Sequence, residues 1–181
     1  MALWVFGYGS LLWNPGFTPI RQVTARLPDY HRSFCMLSIH HRGTPDDPGL
    51  VLALDHQPGA QCTGVALKVD PDEEADVLAM LRERELVSSA YYEANVELIC
   101  SDGETITALT YIVDPDHAQY CQFDLEKQAQ MIAQAVGGRG PNTEYLFNTV
   151  TLLTEMGIKD DDMRWLADRV RALTATEGHR A

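Results

Sequence analysis

Over the first two-thirds of the chain, apolar positions recur with the short period of strands. Residues 3–6, 34–39, 50–54, 63–69, 94–100 and 105–113 are rich in Val, Ile, Leu, Thr and aromatics, and Gly, Pro or Asp clusters bound them, which predicts strands. Ser101-Asp102-Gly103-Glu104 joins the last two through an Asp-Gly pair, a hairpin signal, so those strands should be antiparallel. The period then lengthens. Asp70-Pro71 followed by Asp72, Glu73 and Glu74 reads as an N-cap, a first-turn proline and an acidic first turn, opening a helix that runs to about Glu85. Apolar residues at 125, 131, 132, 135 and 136 predict a helix over 125–136 that stops at Gly137-Gly138. Two more follow, over 143–156 ending at Gly157 and over 160–173 with apolar positions at 163, 166, 170 and 173. The order predicts an α+β fold. No repeat, low-complexity tract or composition shift divides the chain, so a single domain is expected over 1–174, with 175–181 as a flexible tail.

The 181 residues carry 14 Lys+Arg against 26 Asp+Glu, a formal net charge of −12. Binding to phosphates needs a basic face, and no cluster of Lys or Arg interleaved with aromatics occurs, so nucleic acid is not an expected partner. The same repulsion disfavours an anionic membrane surface, and no apolar run approaches the ~18 residues of a span. The first apolar segment lacks the charged flank of a secretory signal, which makes the cytoplasm the expected location. Cys35, Cys62, Cys100 and Cys121 lie 27, 38 and 21 positions apart, matching no zinc or CxxC spacing, and are expected to be small buried hydrophobes.

Candidate chemistry is concentrated in two places. Phe6-Gly7-Tyr8-Gly9-Ser10-Leu11-Leu12 sets two glycines and a serine directly after the first strand. Glycine tolerates φ > 0 and close ligand approach, so such a turn can aim backbone N–H groups at an anion; a plain tight turn is the other reading. It is not a dinucleotide fingerprint, because Leu12 stands where the third glycine would fall. No G-x-S-x-G surrounds Ser10, so it is given no covalent role. On the helix over 71–85, with Leu78 at about 0° and Leu81 at about 300°, Glu85 falls near 340° and Glu83 near 140°. Glu85 should therefore point into the protein and Glu83 into solvent. Burial and the negative end of the helix dipole both push such a carboxylate's pKa upward, as a general base working near neutrality needs. The alternative is an ion pair with an arginine such as Arg82, or a frayed helix end. His40-His41 belongs to no spaced metal set, and Asp160-Asp161-Asp162 opens a helix, where Asp is the expected cap. No metal is expected.

The run Trp4-Val5-Phe6-Gly7-Tyr8-Gly9-Ser10-Leu11-Leu12-Trp13-Asn14-Pro15 resembles the signature of the ChaC family, the glutathione-specific γ-glutamylcyclotransferases. Arg42-Gly43-Thr44 with Pro48-Gly49, Thr63-Gly64-Val65-Ala66, Arg84-Glu85 with Tyr91, and Asn142-Thr143-Glu144-Tyr145-Leu146-Phe147 are similar to its later landmarks, in order, over about residues 3 to 173. One departure is Ser88-Ser89-Ala90-Tyr91, where the family usually carries a Gly shortly before the tyrosine. The resemblance implies a small mixed β-barrel with flanking helices, and an enzyme that cleaves glutathione to 5-oxoproline and L-cysteinylglycine without cofactor or metal. It implies Glu85 as general acid/base and substrate contacts from Phe6, Gly7, Tyr8, Gly9, Ser10, Leu11, Arg42, Tyr91 and Tyr145. Because the substrate's own α-amine attacks its γ-carbonyl, no protein nucleophile is needed, and the sequence offers none. Two other readings stand beside this one: a cyclotransferase for another γ-glutamyl compound, and a non-catalytic γ-glutamyl-binding regulator of a transport system.

Overall fold

Five strands, β1 (Trp4–Gly7), β2 (Arg21–Ser38), β3 (Gly49–Lys68), β4 (Tyr91–Cys100) and β5 (Thr105–Val113), close into a barrel in the order β1-β3-β2-β4-β5. The structure is a computed structural model and describes residues 2–86 and 89–177. All four residues of β1 are buried, because its two faces are covered by different apolar clusters. It runs antiparallel to β3, with Val5 opposite Leu67, and parallel to β5, with Val5 opposite Leu109. The parallel contact makes the barrel mixed. β4 and β5 form the antiparallel hairpin that Asp102-Gly103 predicts, from Tyr91 opposite Val113 to Ile99 opposite Thr105, with Gly103 at φ +89 in the turn.

β2 and β3 are longer than their hydrophobic patterns suggest. Only 34–39 of β2 reads as strand in the sequence, and β3 reads as two pieces, 50–54 and 63–69. The missing parts carry exposed polar residues and turn chemistry, Pro28-Asp29 in one strand and Gln57-Pro58-Gly59 in the other. Here these residues bend the ribbon without ending it: Asp29 sits at φ +65, Gly59 at φ +83, and the Gly59 N–H donates to Asp29 Oδ1 at 3.0 Å.

The chain forms two compact units, Met1–Ser33 with Ala53–Ala118 and Phe34–Leu52 with Gln119–Ala181; β2 and β3 each pass from one into the other. The first unit holds two apolar clusters. Successive β1 residues serve different ones, as strand alternation requires. Phe6 packs with Leu27, Leu54, Ala66 and Leu98, whereas Val5 packs with Leu11, Leu109, Tyr111 and the helix residues Val77 and Leu81. That helix, α1 (Glu74–Glu85), starts later than expected because Asp70 makes a separate turn, accepting from Asp72 N at its carboxylate and from Glu73 N at its carbonyl.

The second unit contains α2 (Leu125–Gln134), a two-stranded ladder of β6 (Val136–Gly137) and β7 (Gly140–Pro141), α3 (Asn142–Glu155) and α4 (Asp161–Glu177). α2 ends before the predicted Val136 because Ala135 is already extended, with its carbonyl accepting from Asn142 N at 2.9 Å. Asp160 caps α4 through Met163 N, as the acidic triplet predicts. α4 itself continues to Glu177, so residues 175–177 of the expected tail are helical; the rest of that tail, 178–181, lies outside the described residues. Cys35, Cys62 and Cys100 are buried, and burial pushes the Cys121 thiol up to about 11. Among the described residues no helix is long and apolar enough to cross a membrane.

Within this unit α3 is fastened to the start of β3. Fully buried Asn142 accepts from Leu50 N and donates to Leu50 O, both at 2.8 Å, and one helical turn later the Tyr145 hydroxyl accepts from Leu52 N at 3.1 Å. Helix spacing of three thus meets strand spacing of two. Asn142→Ala leaves both polar groups of Leu50 without this partner and should cost roughly 2–5 kcal/mol in urea unfolding, whereas exposed Asn148→Ala should stay within about 0.5 kcal/mol of the parent. Equal stability of the two variants would show that the Asn142 clasp contributes nothing.

Candidate active site

After β1 the chain passes through Tyr8 and Gly9 into a 3-10 turn, Ser10–Leu12, in which the Gly9 carbonyl accepts from Leu12 N at 2.9 Å. The expectation of positive φ is not met: Gly9 lies at φ −138, and Gly7 is not among the positive-φ glycines. Close approach is what calls for glycine here. A Cβ on Gly64 would stand 2.3 Å from the Gly7 carbonyl oxygen and 2.9 Å from the Phe6 ring. Phe6 and Leu11 are buried in the two clusters of the first unit, so their side chains pack while their backbone shapes the loop. Buried Arg32 donates from Nε to the Tyr8 carbonyl at 2.6 Å and from a terminal nitrogen to the Thr63 carbonyl. The Tyr8 hydroxyl donates to the Tyr111 carbonyl at 3.0 Å, so Tyr8 is held at both ends.

Glu85 is the last residue of α1, and its side chain is 18% exposed. The helix's buried face is centred on Val77 and Leu81, with Leu78 partly buried against the same cluster, which leaves Glu85 between Leu81 and Leu78 at the margin of that face and Glu83 exposed on the far side. Glu85 forms an ion pair with Arg84, whose Nε lies 3.4 Å from Oε1. Arg84 also donates to Ser10 Oγ at 3.0 Å and to the Asn14 carbonyl, so one guanidinium joins the helix end to the loop. Arg82 instead makes a two-pronged pair with Glu93, both contacts at 2.9 Å, and this hydrogen-bonded cation holds Glu93 below the usual carboxylate range. Tyr111 donates to Glu93 Oε2 at 3.2 Å; burial, then the Glu93 charge, hold its phenol protonated, with Glu85 adding to the same effect. Tyr91, first residue of β4, packs half-buried against the cluster of Leu11, Leu81 and Tyr111.

The structure thus gathers Glu85, Tyr91 and the 6–11 loop in the first unit. Arg42 and Tyr145 belong to the second, where it brings them to each other. The Arg42 guanidinium lies 5.7 Å from the Tyr145 ring centroid, donates to the Pro141 carbonyl at 3.1 Å and comes within 3.9 Å of Glu144. Gly137 packs on the Arg42-Gly43 backbone, where a Cβ would meet both amide nitrogens at 2.5 Å. The neighbouring His41 imidazole is pushed below its ordinary value, by burial first and by Arg139 second. Among the described residues no group of three His, Cys, Asp or Glu is placed to hold a metal ion.

Comparison with known proteins decides the family. The profile of the ChaC-like proteins matches residues 3–173. The chain belongs to the ChaC-like family. It is 37% identical over 175 residues to the glutathione-specific gamma-glutamylcyclotransferase of Escherichia coli, covering 96% of this chain and 74% of that one. It is 36% identical over 178 residues to gamma-glutamylcyclotransferase 2-3 of Arabidopsis thaliana, covering 94% and 89%. The crystal structure of a yeast gamma-glutamyl cyclotransferase specific to glutathione superposes with a TM-score of 0.85 at 23% identity, over 94% of this chain and 96% of that one, and establishes the barrel fold.

Two residues that shape this ChaC-like site, Arg32 and Tyr111, were given no part by the sequence pattern, and Arg84 entered only as a landmark beside Glu85, without its contacts to Ser10 and Asn14. For Arg32 a signal exists, since alternation through Tyr30, Arg32 and Phe34 sets the arginine on the face of two aromatics. The close contact at Gly64 is testable. Gly64→Ala should destabilise the protein by about 1–3 kcal/mol in urea unfolding, because the methyl meets backbone that cannot swing away. Unchanged stability would show that the Gly7 carbonyl has room to move.

Proposed function

We propose that the chain is a γ-glutamylcyclotransferase that converts glutathione to 5-oxoproline and L-cysteinylglycine, a carbon-nitrogen lyase of the amidine-lyase class. The observation that carries this reading is the Arg84 guanidinium, which reaches Ser10 Oγ at 3.0 Å and Glu85 Oε1 at 3.4 Å and so holds a carboxylate beside the glycine loop. The names of the Escherichia coli relative and its vertebrate counterparts support glutathione as the substrate, at 30–37% identity over nearly the whole chain.

In this reading Glu85 takes a proton from the substrate's α-ammonium, and the amine so formed attacks the γ-carbonyl carbon. Backbone N–H groups of the Tyr8–Leu11 loop hold the γ-glutamyl end and stabilise the oxyanion of the tetrahedral intermediate. As the intermediate collapses, the carbon-nitrogen bond to cysteine breaks, Glu85 returns its proton to the departing nitrogen, and the ring nitrogen's second proton passes to the released amine, which leaves as an ammonium. Water is not consumed. Most of the rate gain comes from holding amine and carbonyl in a ring-closing pose.

Mass spectrometry of purified protein incubated with glutathione should detect 5-oxoproline, in the presence of chelator as well as without it. Glu85→Gln should lower kcat at least about 100-fold while glutathione binding persists, and Glu83→Gln should behave like the parent. Turnover of other γ-glutamyl amines or dipeptides in preference to glutathione would move the substrate assignment. Equal losses in the two Gln variants would remove Glu85 as the base.

A further inference from the structure

We infer that Arg82, Glu93 and Tyr111 form a positioning chain that fixes where Glu85 stands against the Tyr8 loop, with Tyr111 as its junction. The inference rests on the reading of Glu85 as the base and adds residues that do not themselves touch substrate. Tyr111 and Glu93 lie directly opposite each other in the β4–β5 register, so their side chains share a face and the phenol reaches Glu93 Oε2 at 3.2 Å. Glu93 in turn takes two guanidinium nitrogens of Arg82 at 2.9 Å each. Arg82 precedes Glu85 by three residues on α1, one helical turn, so fixing its guanidinium fixes the rotation and depth of the turn that carries Glu85.

Stability alone gives little reason for this arrangement. The Arg82 side chain is 52% exposed, and ion pairs that open to solvent contribute little cohesion. A two-pronged pair does restrict orientation. Tyr111 meanwhile receives the Tyr8 hydroxyl at its own carbonyl, 3.0 Å away. A single buried residue therefore holds the loop with its backbone and the base-bearing helix with its hydroxyl. A tyrosine hydroxyl has one proton to donate, and here it is committed to Glu93.

The test compares Tyr111→Phe, Glu93→Gln, Arg82→Ala and Arg82→Lys in steady-state turnover of glutathione. Tyr111→Phe and Glu93→Gln should each lower kcat about ten- to hundred-fold with KM changed less than about two-fold, because the binding loop stays while the base moves. The double variant should lose no more than the worse single one, and Arg82→Lys should retain more activity than Arg82→Ala. An unchanged kcat with only a lowered Tm, or losses that multiply in the double variant, would overturn the chain. Independently of any turnover, a crystal structure of Tyr111→Phe should show the Glu85 carboxylate displaced relative to Ser10, and an unmoved carboxylate would overturn it as well. Failure of the parent to form 5-oxoproline counts against the proposed function and leaves that crystallographic comparison decisive for the chain.

Discussion

Arg32 imposes the constraint on which the candidate site depends. The residue is almost fully withdrawn from water, 5% exposed, and a buried charge costs several kcal/mol unless its protons are satisfied. It donates to the carbonyls of Tyr8 and Thr63, which ties β2, β3 and the loop after β1 to one side chain. Next to Thr63, Gly64 lets the Gly7 carbonyl come closer than any side chain would allow. Two successive carbonyls of the loop are therefore set by contacts from β2 and β3. The loop owes its shape to the barrel wall behind it, not to left-handed backbone at its glycines.

A second guanidinium joins that fixed loop to the end of α1, where the proposed base stands. Arg84 joins Ser10, the Asn14 carbonyl and the Glu85 carboxylate, so the end of α1 cannot drift from the loop without breaking charge-assisted contacts. In the proposed reaction, ring closure asks the protein for a proton acceptor for an ammonium, donors for an oxyanion, and a pose held still. The nucleophile of that proposed reaction belongs to the substrate, so an activated Ser or Cys is not required, and the burial of Cys35, Cys62 and Cys100 fits packing roles.

How much of this is legible in the sequence follows from the range of each interaction. Local signals read correctly: Asp102-Gly103 as a hairpin turn, Asp160 as a cap, and Glu83 and Glu85 on different faces of α1. The family signature spans the loop and the Arg84-Glu85 pair, and family membership follows it. What fails is long-range. The bends at Asp29 and Gly59 look like strand ends until the two strands are seen side by side. The wheel drawn through Leu78 and Leu81 leaves out Val77 at about 260° and, beside it, Arg84 near 240°, whose partners Ser10 and Asn14 lie about 70 residues away in the chain. The Arg82–Glu93–Tyr111 contacts depend on β4–β5 register and helix docking together, and no spacing along the chain encodes both.

In the proposed reaction the Tyr8–Leu11 loop and Glu85 together hold a γ-glutamyl group with its amine ready to react. A crystal structure of Glu85→Gln soaked with glutathione tests this most directly. The γ-glutamyl moiety should lie against the loop backbone, with its α-amine within hydrogen-bonding distance, about 3 Å, of the residue 85 side chain. Glutathione bound elsewhere, or seated on the loop with its amine turned away from that side chain, would contradict it.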